Sequence, residues 1–245
     1  MPNLIESVNK VVVVTGAGFS APSWLPVYRN GGANWLDPED EQMSHASRYG
    51  NHLPELWQRW HTLARQALDA QPNAAHLALV RWERILADRP VEAWLKIVTQ
   101  NVDGLHPRAG SQDVLEVHGS ILRAKRIGKT ETFPYEPTPD GPFPPEAPNG
   151  SRRTRPDVVL FGERPRRMRE ATQAVFDTDL VVFAGTSGRV WPVAGLLEVA
   201  KKAGTPAMLL NQEEWDHGRF QITVLDDVLA LDELVPFETA EEAGS

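Results

Sequence analysis

The 245-residue chain contains no cysteine. That excludes disulfides, thiolate nucleophiles and cysteine-ligated zinc. Its histidines (His45, His52, His61, His76, His106, His118 and His217) are dispersed, and none pairs closely with another beside carboxylates, so no metal is expected. No apolar run approaches the ~20 residues of a membrane span. Met1 to Lys10 has no apolar core of a signal peptide, so a cytoplasmic protein with no membrane partner is expected. Bases are outnumbered by acids, giving a net charge of −8. Such a balance argues against nucleic acid as a partner and is compatible with a basic peptide or with plain solubility. Internal repeats are absent. What is present, 41% hydrophobic and 24% charged residues, is enough for a sizeable core.

The chain is organised around residues 10–29. Lys10 to Val14, ending at Thr15, reads as a strand covered on both faces. Gly16-Ala17-Gly18 follows at once, and Gly16-x-Gly18-x-x-Ala21 satisfies the dinucleotide fingerprint with its permitted terminal alanine. A tight strand-to-helix turn without a ligand explains the same residues. Pro22 and Pro26 interrupt any crossover helix, so residues 23–32 are expected to form a loop over the nucleotide. Asp37 and Glu39 lie about 20 residues on, in a stretch without strand character. The ribose carboxylate of a hydride-transfer enzyme is therefore missing from its strand end, which disfavours a dehydrogenase.

Further strands are expected at Ala93 to Val98, Asp113 to Val117, Asp157 to Phe161, Asp179 to Ala184 and Pro206 to Leu210. Helices are expected from Leu53 through Leu68, from Ala74 to Leu86 with Asn73 as N-cap, from Arg166 to Phe176, from Pro192 to Ala203 before Gly204, and from Asp226 to Leu234. Trp57 and Trp60 read as core rather than as a ligand cage. The prolines between residues 124 and 156 argue against a regular helix or a central strand there, so an irregular insertion is expected, and Arg152, Arg153 and Arg155 make that stretch locally basic. The alternation predicts an α/β fold: a doubly wound, Rossmann-like parallel sheet with a smaller module formed by two insertions. The large part is expected over 1–29, 91–123 and 157–237, and the small module over 30–90 and 124–156. Residues 238–245 read as a frayed acidic tail.

Three strand ends are polar: Thr99-Gln100-Asn101-Val102-Asp103-Gly104-Leu105-His106, then His118-Gly119, then Gly185-Thr186-Ser187-Gly188. Open α/β sheets bind ligands at such ends. A neutral imidazole there is a general-base candidate, although any lone histidine is more often simply hydrogen-bonded in a loop.

With these blocks in order, the chain resembles the sirtuins, NAD-dependent protein-lysine deacylases. The run from Gly16 to Arg29 is similar to the family's GAG-x-S-x-x-S-G-I-P-x-F-R, and Thr99 to His106 to its TQN-x-D-x-LH. Leu115 to Ser120 matches the catalytic histidine–glycine block, and Arg155 to Glu163 matches RPDVV-x-FGE. Gly185-Thr186-Ser187, then Val190-Trp191-Pro192 and Asn211, match the late blocks. The departures are Trp24 where the family has glycine and Tyr28 where it has phenylalanine. The positions where many members carry zinc cysteines fall at Arg126, Lys129, Ala147 and Gly150, so a zinc-free member is expected. The tyrosine–arginine pair of the desuccinylating branch would fall at Trp60 and Leu63 and is absent.

The resemblance implies that NAD is consumed and that acylated lysine peptides are the partners, giving nicotinamide, free lysine and O-acyl-ADP-ribose. It implies His118 as general base with Asn101 as second catalytic residue. It implies that Gly16, Ala17, Gly18, Ser20, Pro26, Tyr28, Arg29, Gln100, Asn101, Asp103, His118, Gly185, Thr186, Ser187 and Asn211 bind NAD. Val159, Phe161, Gly162 and Glu163 would bind the substrate as an added strand. Trp24 and Tyr28 motivate an alternative, an NAD glycohydrolase or ADP-ribosyltransferase. A non-catalytic NAD sensor is disfavoured by the presence of both Asn101 and His118.

Overall fold

The computed structural model describes residues 7–27, 44–141, 144–188, 193–215 and 220–235. In chain order the strands are β1 (Lys10–Thr15), β2 (Trp94–Thr99), β3 (Val114–Glu116), β4 (Gly119–Arg126), β5 (Thr132–Pro134), β6 (Thr154–Val158), β7 (Leu180–Ala184), β8 (Ala207–Asn211) and β9 (Ile222–Leu225). The helices are α1 (Leu53–Asp69), α2 (Ala74–Ala87), α3 (Leu105–Ala109), α4 (Met168–Phe176), α5 (Val193–Ala203) and α6 (Leu231–Leu234).

Six strands form one parallel sheet in the order β3-β2-β1-β7-β8-β9. The direction of strand addition reverses between β1 and β7, and the crevice beyond the carboxyl ends of those strands is where this topology places a ligand. The valines of β1 divide by alternation. Val11 and Val13 enter a core with Ala75, Leu79 and Trp82 of α2, whereas Val12 and Val14 enter one with Ala171 and Val175 of α4 and Leu196 of α5. Both faces of the sheet are thus covered, as the unbroken apolar run requires.

Local chemistry sets the element ends. The Asn73 side chain accepts from the Ala75 and His76 amides, and His76 Nδ1 accepts from the Asn73 amide, which closes a reciprocal cap on α2. Arg108 donates to the carbonyls of Ala67, Leu68 and Ala70 and satisfies the end of α1. Gly204, at φ +73°, stops α5.

The smaller sheet is antiparallel, in the order β5-β4-β6. It corrects two expectations. The proline-rich stretch does contain strands, because Pro134 and Pro156 sit on the two outer strands, where a missing N–H is tolerated. The strand expected from Asp157 is Thr154–Val158, and it pairs with β4 rather than joining the parallel sheet. A third expectation also changes: part of the region past Asp226 is 3₁₀ turn (Val228–Ala230), and β9 before it had not been anticipated.

Residues 44–90, the described part of the first insertion, are divided between layers. Leu56, Trp57, Trp60 and Ala64 of α1 pack on Ile121, Ala124 and Val158 of the small sheet, while α2 packs on the parallel one. Trp57 is fully buried and donates to the Thr154 carbonyl. Two tight turns occupy the four positions aligned with zinc cysteines, closed by Lys129 N to Arg126 O (3.1 Å) and Gly150 N to Ala147 O (2.8 Å). Ile127 N to Arg153 O joins this part of the module. Backbone hydrogen bonds and apolar packing hold it. Among the described residues no group of three acidic or histidine side chains gathers as a metal site, and no helix is long and apolar enough to cross a membrane.

Candidate active site

The loops after β1 and β7 interlock. Gly18 N donates to Gly185 O at 2.8 Å. A Cβ on Gly16 would stand 2.8 Å from Thr186 Cβ, one on Gly18 would stand 2.8 Å from Gly185 O, and one on Gly185, at φ +59°, would overlap Phe19 N. These glycines therefore let two loops meet backbone to backbone, a role beyond ligand approach. Instead of a crossover helix, two 3₁₀ turns follow β1, Ala17–Phe19 and Ala21–Ser23. Trp24 closes the second at φ 64°, the left-handed backbone of a glycine, with its side chain almost wholly exposed.

Ser20 Oγ stands between two residues of the loop after β2. It accepts from Asn101 Nδ2 at 2.9 Å and donates to Asp103 Oδ2 at 2.8 Å. Asp103 Oδ1 accepts the Leu105 amide at 2.9 Å. Burial pushes the Asp103 carboxyl above its ordinary range, and the Leu105 and Ser20 hydrogen bonds pull it back. Gln100 Nε2 donates to Thr186 Oγ1 at 3.0 Å, which ties this loop to the one after β7.

His118 ends the segment after β3, and Gly119, at φ +82°, turns the chain into β4. Burial lowers the His118 pKa, opposed by its hydrogen bond to the Gln100 carbonyl, so the ring is neutral at neutral pH. Behind it Asp157, 2% exposed, takes both Arg166 bonds (2.6 and 2.8 Å) and lies near Arg123 and Lys125. Burial raises the Asp157 carboxyl, but these cations outweigh it and hold it below the usual range.

A cleft of about 720 Å³ opens at these strand ends. Gly16, Ala17, Gly18, Ser20, Pro26, Gln100, Asn101, Asp103, His118, Gly185, Thr186, Ser187 and Asn211 all line it, as do Val159, Phe161, Gly162 and Glu163. Tyr28 and Arg29 lie outside the described residues, as do Asp37, Glu39, Val190 to Pro192 and the acidic tail. One arm of the cleft is apolar, walled by Trp60, Leu63, Ala67, Ile121, Val158 and Leu160.

Two details alter the substrate-side expectation. The Glu163 carboxylate is already engaged by Arg155 (2.6 Å) and the Leu160 amide (3.0 Å), so it shapes the loop. The Phe161 amide and carbonyl pair with Ser44 and Ala46, so that backbone edge is filled within the chain. Leu25 and Val27, from the loop expected over the nucleotide, also line the cleft, as does Ser44, which sequence reasoning had not singled out; no local pattern marks a residue that only the fold brings there.

Comparison with known proteins agrees with this arrangement. The model of the Sir2 family matches residues 16–192. An NAD-dependent protein deacylase of Thermus thermophilus is 37% identical over 211 residues, spanning 85% of this chain and 82% of the relative. The structure of a Sir2 homologue in complex with NAD superposes with a TM-score of 0.84 at 30% identity, over 96% of this chain and 91% of that one. A Sir2 structure with a deacetylated p53 peptide and 3′-O-acetyl ADP-ribose gives 0.81 at 25% identity, over 99% and 96%. The region matched by the family model spans the glycine loop, the Asn101 loop and His118, and this chain belongs to the Sir2 family.

Proposed function

We infer that this protein is an NAD-dependent protein deacylase that removes acyl groups from lysine side chains. One observation carries the reading: Asn101, Asp103 and the His118 imidazole border the same cleft as the paired glycine loops. The relatives support it, since the Thermus protein bears that activity in its name and a Sir2 structure holds a deacetylated peptide.

The residues present suit NAD. The interlocked glycine loops and the Thr186 and Ser187 hydroxyls line the cleft, where a pyrophosphate can lie against them. In this reading Gly16, Ala17, Gly18, Ser20, Gly185, Thr186 and Ser187 hold the phosphate side, and Asn211 the adenosine side. Pro26, Gln100, Asn101 and Asp103 face the nicotinamide ribose, with Tyr28 and Arg29 from the segment outside the described residues. NAD supplies an electrophilic ribose carbon whose bond to nicotinamide can break. The Ser20–Asn101–Asp103 set orients what enters, and a fixed set of donors needs no rearrangement at the moment of reaction. His118 Nε2 takes up a proton as general base. Val159 and Gly162 border the substrate side, Glu163 and the internally paired Phe161 hold that loop in shape, and the apolar arm receives the acyl chain.

The test is to incubate the protein with NAD and a panel of acyl-lysine peptides, with mass spectrometry of the products. Peptide-dependent nicotinamide release with O-acyl-ADP-ribose is expected. Acetyl and butyryl peptides are expected to react faster than succinyl, because burying an unpaired carboxylate in that arm is costly. Nicotinamide release indifferent to peptide would favour the glycohydrolase reading. As part of the same proposal the protein acts in the cytoplasm, which cell fractionation would check.

A further inference from the structure

Thr15 is the last residue of β1 and Thr99 the last of β2, and the two are register partners. Thr15 Oγ1 donates to Thr99 Oγ1 at 2.9 Å. Thr15 Oγ1 also lies 2.9 Å from His106 Nε2 in α3. Since the one Thr15 proton goes to Thr99, His106 brings its own proton on Nε2. Thr99 Oγ1 in turn accepts the Asn101 amide at 3.0 Å. All three side chains are buried, with exposures of 0%, 2% and 1%. His106 is further pinned by ring contacts with Phe19 (5.1 Å) and His76 (4.8 Å). No hydrogen bond reaches its Nδ1, so its one polar partner among the described residues is Thr15.

The loop carrying Gln100, Asn101 and Asp103 leaves from Thr99 and ends where the Asp103 carboxylate caps α3 at Leu105, one residue before His106. A single hydroxyl therefore grips both ends of that loop. We propose that Thr15 and His106 are positioning residues: through Thr99 they set the depth at which Asn101 stands in the cleft, without touching the reactants. The proposal rests on the deacylase reading for the role of Asn101, not for the clamp itself. A loop tied at one end only would let Asn101 and Ser20 drift together, and a misplacement of about 1 Å at a reacting centre lowers rates by about 100-fold.

Thr15→Val keeps the β-branched shape in a run of valines and removes the hydroxyl. Thr15→Ser keeps the hydroxyl and removes a methyl. Nicotinamide release is followed with and without an acetyl-lysine peptide. Peptide dependence of the wild-type rate tests the deacylase reading, and the Val-to-Ser ratio of whichever rate is present tests the clamp. We expect kcat about 10–100-fold lower in Thr15→Val, with KM for NAD within about threefold, and Thr15→Ser within about threefold in both. Amide exchange of residues 100–105 should quicken about tenfold or more in Thr15→Val and stay unchanged in Thr15→Ser, a readout independent of catalysis. His106→Gln, which can still donate to Thr15, should stay near wild type where His106→Leu does not. Equal rates and exchange in the Val and Ser variants, or losses that follow melting temperature rather than the hydroxyl, would overturn the proposal.

Discussion

His118 Nδ1 lies 3.0 Å from the carbonyl oxygen of Gln100. A carbonyl only accepts, so the ring proton sits on Nδ1 and the lone pair on Nε2. The loop that carries Asn101 thus also sets the tautomer of the base. Replacing His118 with alanine should lower peptide-dependent turnover by about two to four decades while NAD still binds, as measured by calorimetry. Turnover at the wild-type rate would end the assignment.

The pH profile follows from the same ring. Burial lowers its pKa, and the active form is the deprotonated one. Turnover should therefore rise with pH through a midpoint below the ordinary histidine value of 6.5 and be flat above it. An acid limb centred above that value would contradict the burial argument.

Ser20→Ala removes the acceptor of Asn101 Nδ2 and the donor to Asp103 Oδ2 at once. Each buried group left unmatched costs about 1–3 kcal/mol. Denaturant unfolding should show a loss of that order, with turnover about tenfold or more lower.

Gly185→Ala tests the interlocked loops. The new Cβ would overlap Phe19 N in a left-handed backbone. The steric and conformational costs together come to about 3 kcal/mol or more. Gly204→Ala is the control: its φ is +73° with nothing within 4 Å, so only the conformational part remains, about 1–2 kcal/mol. Thermal melts of the pair separate the two contributions, and equal losses would remove the case for interlocking.

His76, fully buried, has its pKa pushed down by burial to about 4. The unfolded chain takes up the proton near the ordinary value of 6.5, so stability is whole above that pH. It falls as pH drops from 6.5 toward 4, by about 3 kcal/mol for this group. Urea midpoints at pH 5 and 7 should differ in the wild type and differ less in His76→Asn.

Much of the frame was legible in the chain. The β1 run, the Asn73 cap and the Gly204 stop are local signals, and each of these stands within a few residues of its expected place. The small sheet was hidden because proline statistics speak for central strands, whereas Pro134 and Pro156 stand on outer ones. β9 was hidden because four residues, Ile222 to Leu225, are too few for periodicity to separate a strand from a loop.

The sequence by itself determined which residue types could serve: two glycine loops, an amide–acid loop, a histidine before a glycine at a strand end, and no thiolate anywhere. Local chemistry is enough for that, since turns, caps and buried strands depend on near neighbours. Only the tertiary structure decided that Gly18 meets Gly185, that Ser20 bridges Asn101 and Asp103, and that Thr15 joins Thr99 to His106. Those partners lie about 80 to 170 positions apart, and a hydrogen bond is a matter of tenths of an ångström in space, which spacing along a chain does not encode.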